Sequence, residues 1–284
     1  MNLIRVMPAE GLGYEKKNSF GAFPERRHMM SFVPEAKGAD KPVFSLEETA
    51  GLLERLRARG PRVHCITNSV AQNFTANVLL ALGAVPSMTV AREEIADFVK
   101  SADGFLINIG TIDDERRASI ELGLEAAGEA GLAFVLDPVL VNRSPARLEL
   151  ARRCLARRPA VLRANAEEVA ALAQGETPED FAKNSRVTLA LTGPVDHVTD
   201  GRRQVDIVHG HPFMARVTAM GCAASAVVAG FLAVEDDPLK AAAAALTVVG
   251  HMGGEAGARS KGPGSFVPAF LDALYGFGRK GDEK

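Results

Sequence analysis

The sequence predicts an α/β fold of three layers, in which helices cover both faces of a mostly parallel, doubly wound central sheet. Short apolar runs of strand length alternate with longer segments of helical periodicity along most of the chain, and this pattern is typical of repeated strand–helix–strand units. The 284 residues are 47% hydrophobic, which is ample for a sizeable core. Several apolar runs end in polar residues, where the sites of such sheets lie.

The first half of the predicted domain contributes four strands. A helix begins at Ser45, which forms a capping box with Glu48, and Gly60 ends it. Strands are then predicted at 63–68, 84–88, 105–110 and 133–138, with helices between them at 69–82, 92–101 and 113–131. Because each pair of strands is joined through a helix, we expect the strands to run parallel.

The second half continues the alternation and adds a hairpin around Asp200-Gly201. The further predicted elements are strands at 160–163 and 187–193 and helices at 144–158, from Asn165, after Gly221, at 239–258 and at 266–275. The helix at 144–158 is basic. Its arginines are interpreted as a solvated face, and they are Arg147, Arg152, Arg153, Arg157 and Arg158.

Residues 1–43 differ from the rest of the chain because they show neither helical nor strand periodicity. They also lack the apolar core of a signal peptide. We interpret them as an irregular leader, either mobile or lying upstream of a true start at Met29 or Met30. Residues 44–280 are predicted to form one domain.

Composition argues against several classes of partner. The formal net charge of −2 provides no global basic field for nucleic acid. No apolar run reaches the roughly 18 residues of a membrane span. Three cysteines, Cys65, Cys154 and Cys222, are odd in number and far apart, so we expect no disulfide framework and a cytoplasmic location.

Polar or sulfur-containing residues end four successive predicted strands. They are Asn68, Met88, Asn108 with Gly110, and Asp137. Taken singly, an Asn or Asp at a strand end is more often a turn or cap residue, and Met88 is most simply a core residue. Because parallel strands end at one edge, four such ends together indicate a site there.

The stretch 217–231 is a loop of small residues that runs into an apolar helix, with Cys222 in the predicted first turn. Helix N-termini carry unpaired N–H groups and partial positive charge, which favour a bound anion. The same field favours the thiolate of a cysteine. A core cysteine is the simpler interpretation of Cys222 alone.

A second polar cluster brackets the turn after the fifth predicted strand. Arg163 suits the oxygens of a nucleotide phosphate. Glu168 suits Mg²⁺, which usually takes one or two carboxylates with waters and phosphates. Glu168 also stands where a capping-box partner of Asn165 would lie, and both roles are compatible.

From about Pro61 to Phe277, ordered blocks of sequence resemble the hydroxyethylthiazole kinase family, thiamine-salvage members of the ribokinase-like superfamily. The blocks are His64-Cys65-Ile66-Thr67-Asn68, Gln72-Asn73-Phe74-Thr75-Ala76-Asn77, Ile107-Asn108-Ile109-Gly110-Thr111, Leu136-Asp137-Pro138-Val139, Asn165-Ala166 with Glu168, Leu191-Thr192-Gly193, Val198-Thr199-Asp200-Gly201, Gly221-Cys222, and Gly262-Pro263-Gly264-Ser265-Phe266 with Phe270-Leu271-Asp272-Ala273-Leu274. Each block alone is weak, whereas their order and spacing are specific.

The resemblance implies a kinase that transfers phosphate from Mg-ATP to the hydroxyl of 4-methyl-5-(2-hydroxyethyl)thiazole. It implies an anion hole at Ala219, Met220 and Gly221 for the transferring phosphoryl group. Cys222 then occupies the place where related sugar kinases carry an aspartate base, so we assign it as a weak base or a group that orients the hydroxyl.

The remaining implied roles concern nucleotide, metal and acceptor. ATP contacts match Arg163, Thr192 and Gly193, and the metal-associated carboxylates match Asp137 and Glu168. Contacts to the thiazole match Met88, Ala219 and Asn68. The resemblance further implies a homotrimer with sites between subunits, so that Met88 and Asn68 serve a neighbour's site.

Three departures from the family pattern stand out. Ala219 replaces a glycine, which is costly if that position has positive φ. The segment 140–143 is larger and more charged than the small residues expected there. The link between Glu168 and Thr192 is short, so we expect at most one helical turn, at 175–180, where the family has a long helix.

Two alternatives to an active thiazole kinase follow from these departures. One is a degenerate kinase fold that binds a thiazole-like ligand without turnover. The other is a related vitamin-precursor kinase with a different acceptor. Retention of Asp137, Arg163, Glu168, Thr192 and Cys222 favours the active kinase.

Overall fold

A computed structural model describes residues 45–278 and shows one eight-stranded sheet between two layers of helices. The strands are β1 (Arg62–Ile66), β2 (Val85–Ser87), β3 (Gly104–Asn108), β4 (Phe134–Asp137), β5 (Val161–Asn165), β6 (Thr188–Thr192), β7 (Asp196–Thr199) and β8 (Gln204–Ile207). Their spatial order is β2-β1-β3-β4-β5-β6-β7-β8. The first six strands in chain order pair in parallel, and β7 and β8 add an antiparallel hairpin. The predicted fold class is confirmed.

Apart from α7, the helices lie where the alternation predicts, and their ends differ from the predicted ones by up to three residues. They are α1 (Leu46–Arg59), α2 (Gln72–Leu82), α3 (Ile95–Lys100), α4 (Asp114–Ala130), α5 (Pro145–Ala156), α6 (Ala166–Ala173), α7 (Pro178–Ser185), α8 (Met220–Leu232), α9 (Pro238–Arg259) and α10 (Pro263–Gly276). Short 3₁₀ turns cover Val141–Arg143 and Pro212–Arg216. The predicted capping box of Ser45 with Glu48 is present at the start of α1.

Two apolar cores lie on opposite faces of the sheet because neighbouring side chains of a strand point to opposite faces. Leu106 of β3 joins the core beneath α1, α2, α8, α9 and α10. Phe105 and Ile107 of the same strand join the core beneath α3 to α7. Burial of both faces explains why the sequence of β3 is nearly continuously apolar.

The expectation of one helical turn at most in the link before β6 is wrong. Helix α7 has eight residues, and Phe181 and Ala182 on it are buried against the sheet layer. Thr177 caps it by accepting a hydrogen bond from the Asp180 N–H, and Pro178 occupies the first turn. The helix is short but covers this face of the sheet.

The predicted division of the chain at residue 43 lies outside the described residues. Among residues 45–278, no helix combines the length and the apolar character needed to cross a membrane.

Helix α8 approaches the sheet closely at Gly104, the first residue of β3. An ideal Cβ on Gly104 would lie 2.2 Å from the Ala229 carbonyl oxygen of α8 and 2.9 Å from its carbonyl carbon. Both contacts are to backbone, which cannot rotate away. Gly104 therefore fixes how near α8 lies to the centre of the sheet.

We predict that Gly104→Ala lowers the free energy of unfolding by about 1–3 kcal/mol or more, because the added methyl forces α8 and β3 apart. Urea unfolding followed by circular dichroism measures the change. Gly128→Ala in α4 is the matched control, since its Cβ would meet nothing within 4 Å. Equal stability of the two variants would contradict the close approach.

Candidate functional site

The amino terminus of α8 lies at the carboxyl edge of the parallel strands, where the sequence predicted a site. Ala219 is its N-cap, with φ 68° and ψ 1°, and Met220 begins the helix. Cys222 is therefore in the first turn, as predicted. The left-handed conformation of Ala219 explains why a glycine suits this position.

A buried chain of hydrogen bonds connects Cys222 to the ends of three strands. Asn68 Nδ2 donates to Cys222 Sγ at 3.2 Å and to Asn108 Oδ1 at 3.1 Å. Asn108 Nδ2 donates to Asp137 Oδ2 at 2.8 Å, and Ser225 Oγ donates to the same oxygen at 2.8 Å. The predicted meeting of polar strand ends is thus observed for β1, β3 and β4.

Ser225 was not predicted from the sequence. It lies four residues after Gly221, whose carbonyl oxygen its hydroxyl also approaches at 3.2 Å. Residues three and four apart share a helix face, so the position of Cys222 on that face was the signal that could have indicated Ser225. Its hydroxyl ties the first turn of α8 to Asp137.

The environment of Cys222 disfavours the thiolate. Burial, followed by the nearby Asp137 charge, raises the pKa of the Cys222 thiol to about 11, although the Asn68 amide acts in the opposite direction. The expectation that the helix terminus favours the thiolate is therefore wrong for this site. Cys222 is a hydrogen-bonded thiol at neutral pH.

Asp137 is 1% exposed, and its burial raises the pKa of its carboxyl group, with Arg163 the largest opposing influence. The charge of Glu168 raises that pKa further. Among residues 45–278, both donors to Asp137 bind Oδ2 and none binds Oδ1. A carboxylate oxygen without a donor, on a residue near a second carboxylate, fits a Mg²⁺ that also binds phosphate and water.

Glu168 forms the predicted capping box with Asn165 at the start of α6. Its Oε2 accepts from the Asn165 N–H at 3.0 Å, and its Oε1 accepts from the Leu140 N–H at 2.8 Å. The second contact holds the loop after β4, where Leu140 has φ 56°. Within the described residues, no group of three or more His, Cys, Asp and Glu side chains is arranged as a metal site.

Arg163 lies within β5, which continues to Asn165, two residues beyond the predicted strand end. An ideal Cβ on Gly221 would lie 2.7 Å from Arg163 Nη1 and 3.1 Å from Nη2. Gly221 thus admits the guanidinium directly beside the first turn of α8. Arg163 Nε is buried and has no hydrogen-bond partner in the described residues, so the side chain retains capacity to bind an anion.

A cavity of about 780 Å³ opens beside Arg163. Its wall includes the predicted ATP residues Thr192 and Gly193 together with Met220 and Gly221 of the predicted anion hole. Residues of the 208–215 loop between β8 and α8 also line the cavity, including His209, His211 and Met214. The sequence showed no periodicity or motif in that loop, and its contribution was missed.

Met88 stands apart from the hydrogen-bonded chain at Cys222. It follows β2, the edge strand, and packs against the apolar core on the α8 face. Asn68, by contrast, directly contacts Cys222. The structure therefore joins Asn68, but not Met88, to the predicted catalytic cysteine within this chain.

We predict that Ala219→Gly raises the free energy of unfolding by about 0.5–1 kcal/mol. Relief of the left-handed conformation outweighs the greater chain entropy that glycine adds to the unfolded state. Chemical denaturation measures the difference. Ala118→Gly, inside α4, is the control and should destabilise, so the same sign for both variants would contradict the prediction.

We also predict a steep pH dependence for alkylation of Cys222. Since only the thiolate reacts and the pKa is about 11, the rate should rise about tenfold per pH unit between pH 7 and pH 9.5. Iodoacetamide labelling with peptide mass spectrometry measures this rate. A plateau near pH 8 would show that the thiol has a low pKa.

The chain is similar to known proteins over most of its length. The family model described as "Hydroxyethylthiazole kinase family" matches residues 53–179 and 176–279 of this chain. A probable hydroxyethylthiazole kinase of Agrobacterium fabrum is 48% identical over 225 residues, covering 79% of this chain and 88% of that protein. A hydroxyethylthiazole kinase of Tolumonas auensis is 46% identical over 242 residues, covering 78% and 91% respectively.

Solved structures give the same result at the level of the fold. A hydroxyethylthiazole kinase from Pyrococcus horikoshii OT3 superposes with a TM-score of 0.78 at 39% identity, covering 81% of this chain and 93% of that one. A ribokinase-like superfamily protein from Enterococcus faecalis gives a TM-score of 0.60 at 14% identity, covering 79% and 93%, and shares the fold. With the sequence matches over most of its length, this chain belongs to the hydroxyethylthiazole kinase family.

Proposed function

We propose that the protein phosphorylates the hydroxyl of 4-methyl-5-(2-hydroxyethyl)thiazole with ATP. The observation that carries the proposal is the position of the α8 amino terminus between two features. Cys222 and its buried hydrogen-bonded chain lie at the first turn. The cavity that contains Arg163 lies beside Gly221 of the same turn. A phosphoryl group held at this turn would face both an acceptor and a nucleotide.

Charge neutralisation is the main requirement of phosphoryl transfer, because the transition state is loose and covalent chemistry is minor. The unpaired N–H groups at the start of α8 supply fixed positive dipoles. Arg163 supplies a formal positive charge beside Gly221. Asp137 and Glu168 would hold Mg²⁺, which when bound supplies further positive charge to the phosphate oxygens.

Cys222 acts in this proposal as an orienting group rather than as a thiolate base. With a pKa of about 11, it keeps its proton at Sγ near neutral pH. Asn68 holds Sγ from one side at 3.2 Å, and the sulfur can bind the acceptor hydroxyl on another side. Late loss of the alcohol proton in a loose transition state makes a strong base unnecessary.

The nucleotide is proposed to occupy the cavity of about 780 Å³ beside β5 and β6. Arg163 and the first turn of α8 are assigned to the phosphates. Thr192 and Gly193 line the same cavity and are assigned to further ATP contacts. Apolar side chains from the 208–215 loop and α9, including Met214 and Val249, provide a wall suited to a base.

We further propose that the protein is a cytoplasmic homotrimer in which Met88 serves a neighbour's thiazole site. Met88 follows the edge strand β2, whose Val85 is 53% exposed, and the nearby α2 exposes Leu80 at 57%. These apolar surfaces are suited to contact with another subunit. Light scattering of the purified protein measures the mass, and a monomer at working concentration would contradict the trimer.

The function is tested by measuring ADP release from the full-length protein with Mg-ATP. We expect release that depends on hydroxyethylthiazole, and hydroxymethylpyrimidine as the comparison acceptor should give little. A preference for the pyrimidine would indicate a related vitamin-precursor kinase. Thiazole binding by calorimetry without ADP release would indicate a kinase fold that binds without turnover.

The same assay tests the assigned role of Cys222. We expect Cys222→Ala to lower kcat by about tenfold or more, because the acceptor hydroxyl loses its orienting partner. Cys154→Ala is the matched control, since Cys154 is a buried residue of α5, on the opposite face of the sheet. Unchanged kcat and KM in Cys222→Ala would remove Cys222 from the mechanism.

A further inference from the structure

Arg147 differs from the other arginines of the predicted basic helix at 144–158. The sequence predicted a solvated face for all of them, and Arg152, Arg153, Arg157 and Arg158 are indeed exposed. Arg147 is instead partly buried, and its Nη1 donates to the Ile109 carbonyl oxygen at 2.8 Å and to the Val139 carbonyl oxygen at 2.9 Å. One guanidinium nitrogen therefore joins the chain beyond β3 to the chain beyond β4.

These two carbonyl groups belong to the loops that carry the buried polar chain. Ile109 directly follows Asn108, and Val139 lies two residues after Asp137. The Ile109 N–H also donates to the Asp137 carbonyl oxygen at 3.1 Å. Fixing the two loops relative to each other fixes the separation of Asn108 and Asp137, whose side chains are hydrogen bonded at 2.8 Å.

The position of the Ile109 loop is transmitted to Cys222 by close packing. An ideal Cβ on Gly110 would lie 2.5 Å from Asn68 Cβ and 2.8 Å from Asn68 Nδ2. Asn68 therefore rests directly on the Gly110 backbone. Because Asn68 Nδ2 donates to Cys222 Sγ, a displacement of residues 109–110 changes the support of the sulfur atom.

A second arginine holds the chain beyond β1 in a similar way. Arg116 of α4 donates from Nε to the Thr67 carbonyl oxygen at 3.3 Å, directly before Asn68. Its guanidinium also pairs with Asp113, the N-cap of α4, so its removal would disturb that helix as well. Arg147 has no such second role in the described residues and is the cleaner position to test.

We propose that Arg147 is a positioning residue for the phosphoryl-transfer site. Its charged guanidinium makes strong hydrogen bonds that hold the loops after β3 and β4, and through Gly110 and Asn68 it sets the geometry at Cys222. The kinetic part of this inference rests on the proposed kinase function. The geometric part, support of Cys222, does not.

The kinetic test compares Arg147→Met with wild type in the ADP assay, at a temperature where circular dichroism shows both to be folded. We expect kcat to fall about tenfold or more, since small misplacements of reacting groups are costly. The KM for ATP should change little, because Arg147 is not part of the cavity lined by Arg163 and Thr192. A merely structural role would lower thermal stability and leave kcat of the folded enzyme unchanged.

A second measurement is independent of turnover. We expect Arg147→Met to accelerate iodoacetamide alkylation of Cys222, because the loops that pack around the thiol lose their tie. Arg152→Met is the matched control, since it removes the same charge from an exposed position of the same helix. It should leave both kcat and the alkylation rate at wild-type values.

The outcomes separate this inference from the proposed function. Unchanged kcat together with unchanged Cys222 alkylation in folded Arg147→Met would overturn the positioning role. If Arg147→Met does not fold, kcat and the Cys222 alkylation rate are measured on Arg147→Lys instead, and they decide the positioning role in the same way. Lysine Nζ ends one bond short of the Nη1 position, so this variant also disturbs the contacts to the two carbonyl groups. If wild type shows no thiazole-dependent ADP release, the proposed function fails and the alkylation rates alone decide the role of Arg147.

Discussion

The buried carboxylate of Asp137 is the group on which the arrangement of the site depends. At 1% exposure it requires donors, because an unpaired buried charge is strongly destabilising. Asn108 and Ser225 provide them from β3 and α8. Satisfying this one carboxylate therefore brings two strand ends and the first turns of a helix together, and it places Cys222 beside them.

The small residues of α8 and its surroundings allow this arrangement. Gly104 lets the α8 backbone approach β3, and Gly221 admits the Arg163 guanidinium beside the first turn. Ala219 occupies a left-handed conformation at the N-cap, and that conformation costs free energy for any residue with a Cβ. Close approach of backbone and side chains at the first turn of α8 is thus expected to cost stability.

The differences between prediction and structure have separate physical causes. Helix α7 forms although the link before β6 is short, because the Thr177 cap and Pro178 in the first turn favour the start of a helix. The pKa of Cys222 rises because burial and the Asp137 charge outweigh the helix terminus. Arg147 is partly buried rather than solvent-exposed because its guanidinium donates hydrogen bonds to two loop carbonyl groups. Both of the latter effects depend on contacts between segments far apart in the chain.

The sequence by itself determined the alternation of strands and helices, the polar strand ends and the small-residue loop before α8, because periodicity and capping are local properties. It also contained the ordered motifs of the hydroxyethylthiazole kinase family. Only the tertiary structure decided which polar residues contact one another, that the 208–215 loop lines the cavity, and that the pKa of Cys222 is raised. Packing distances and burial set these features, and neither is encoded in the spacing of residues along the chain.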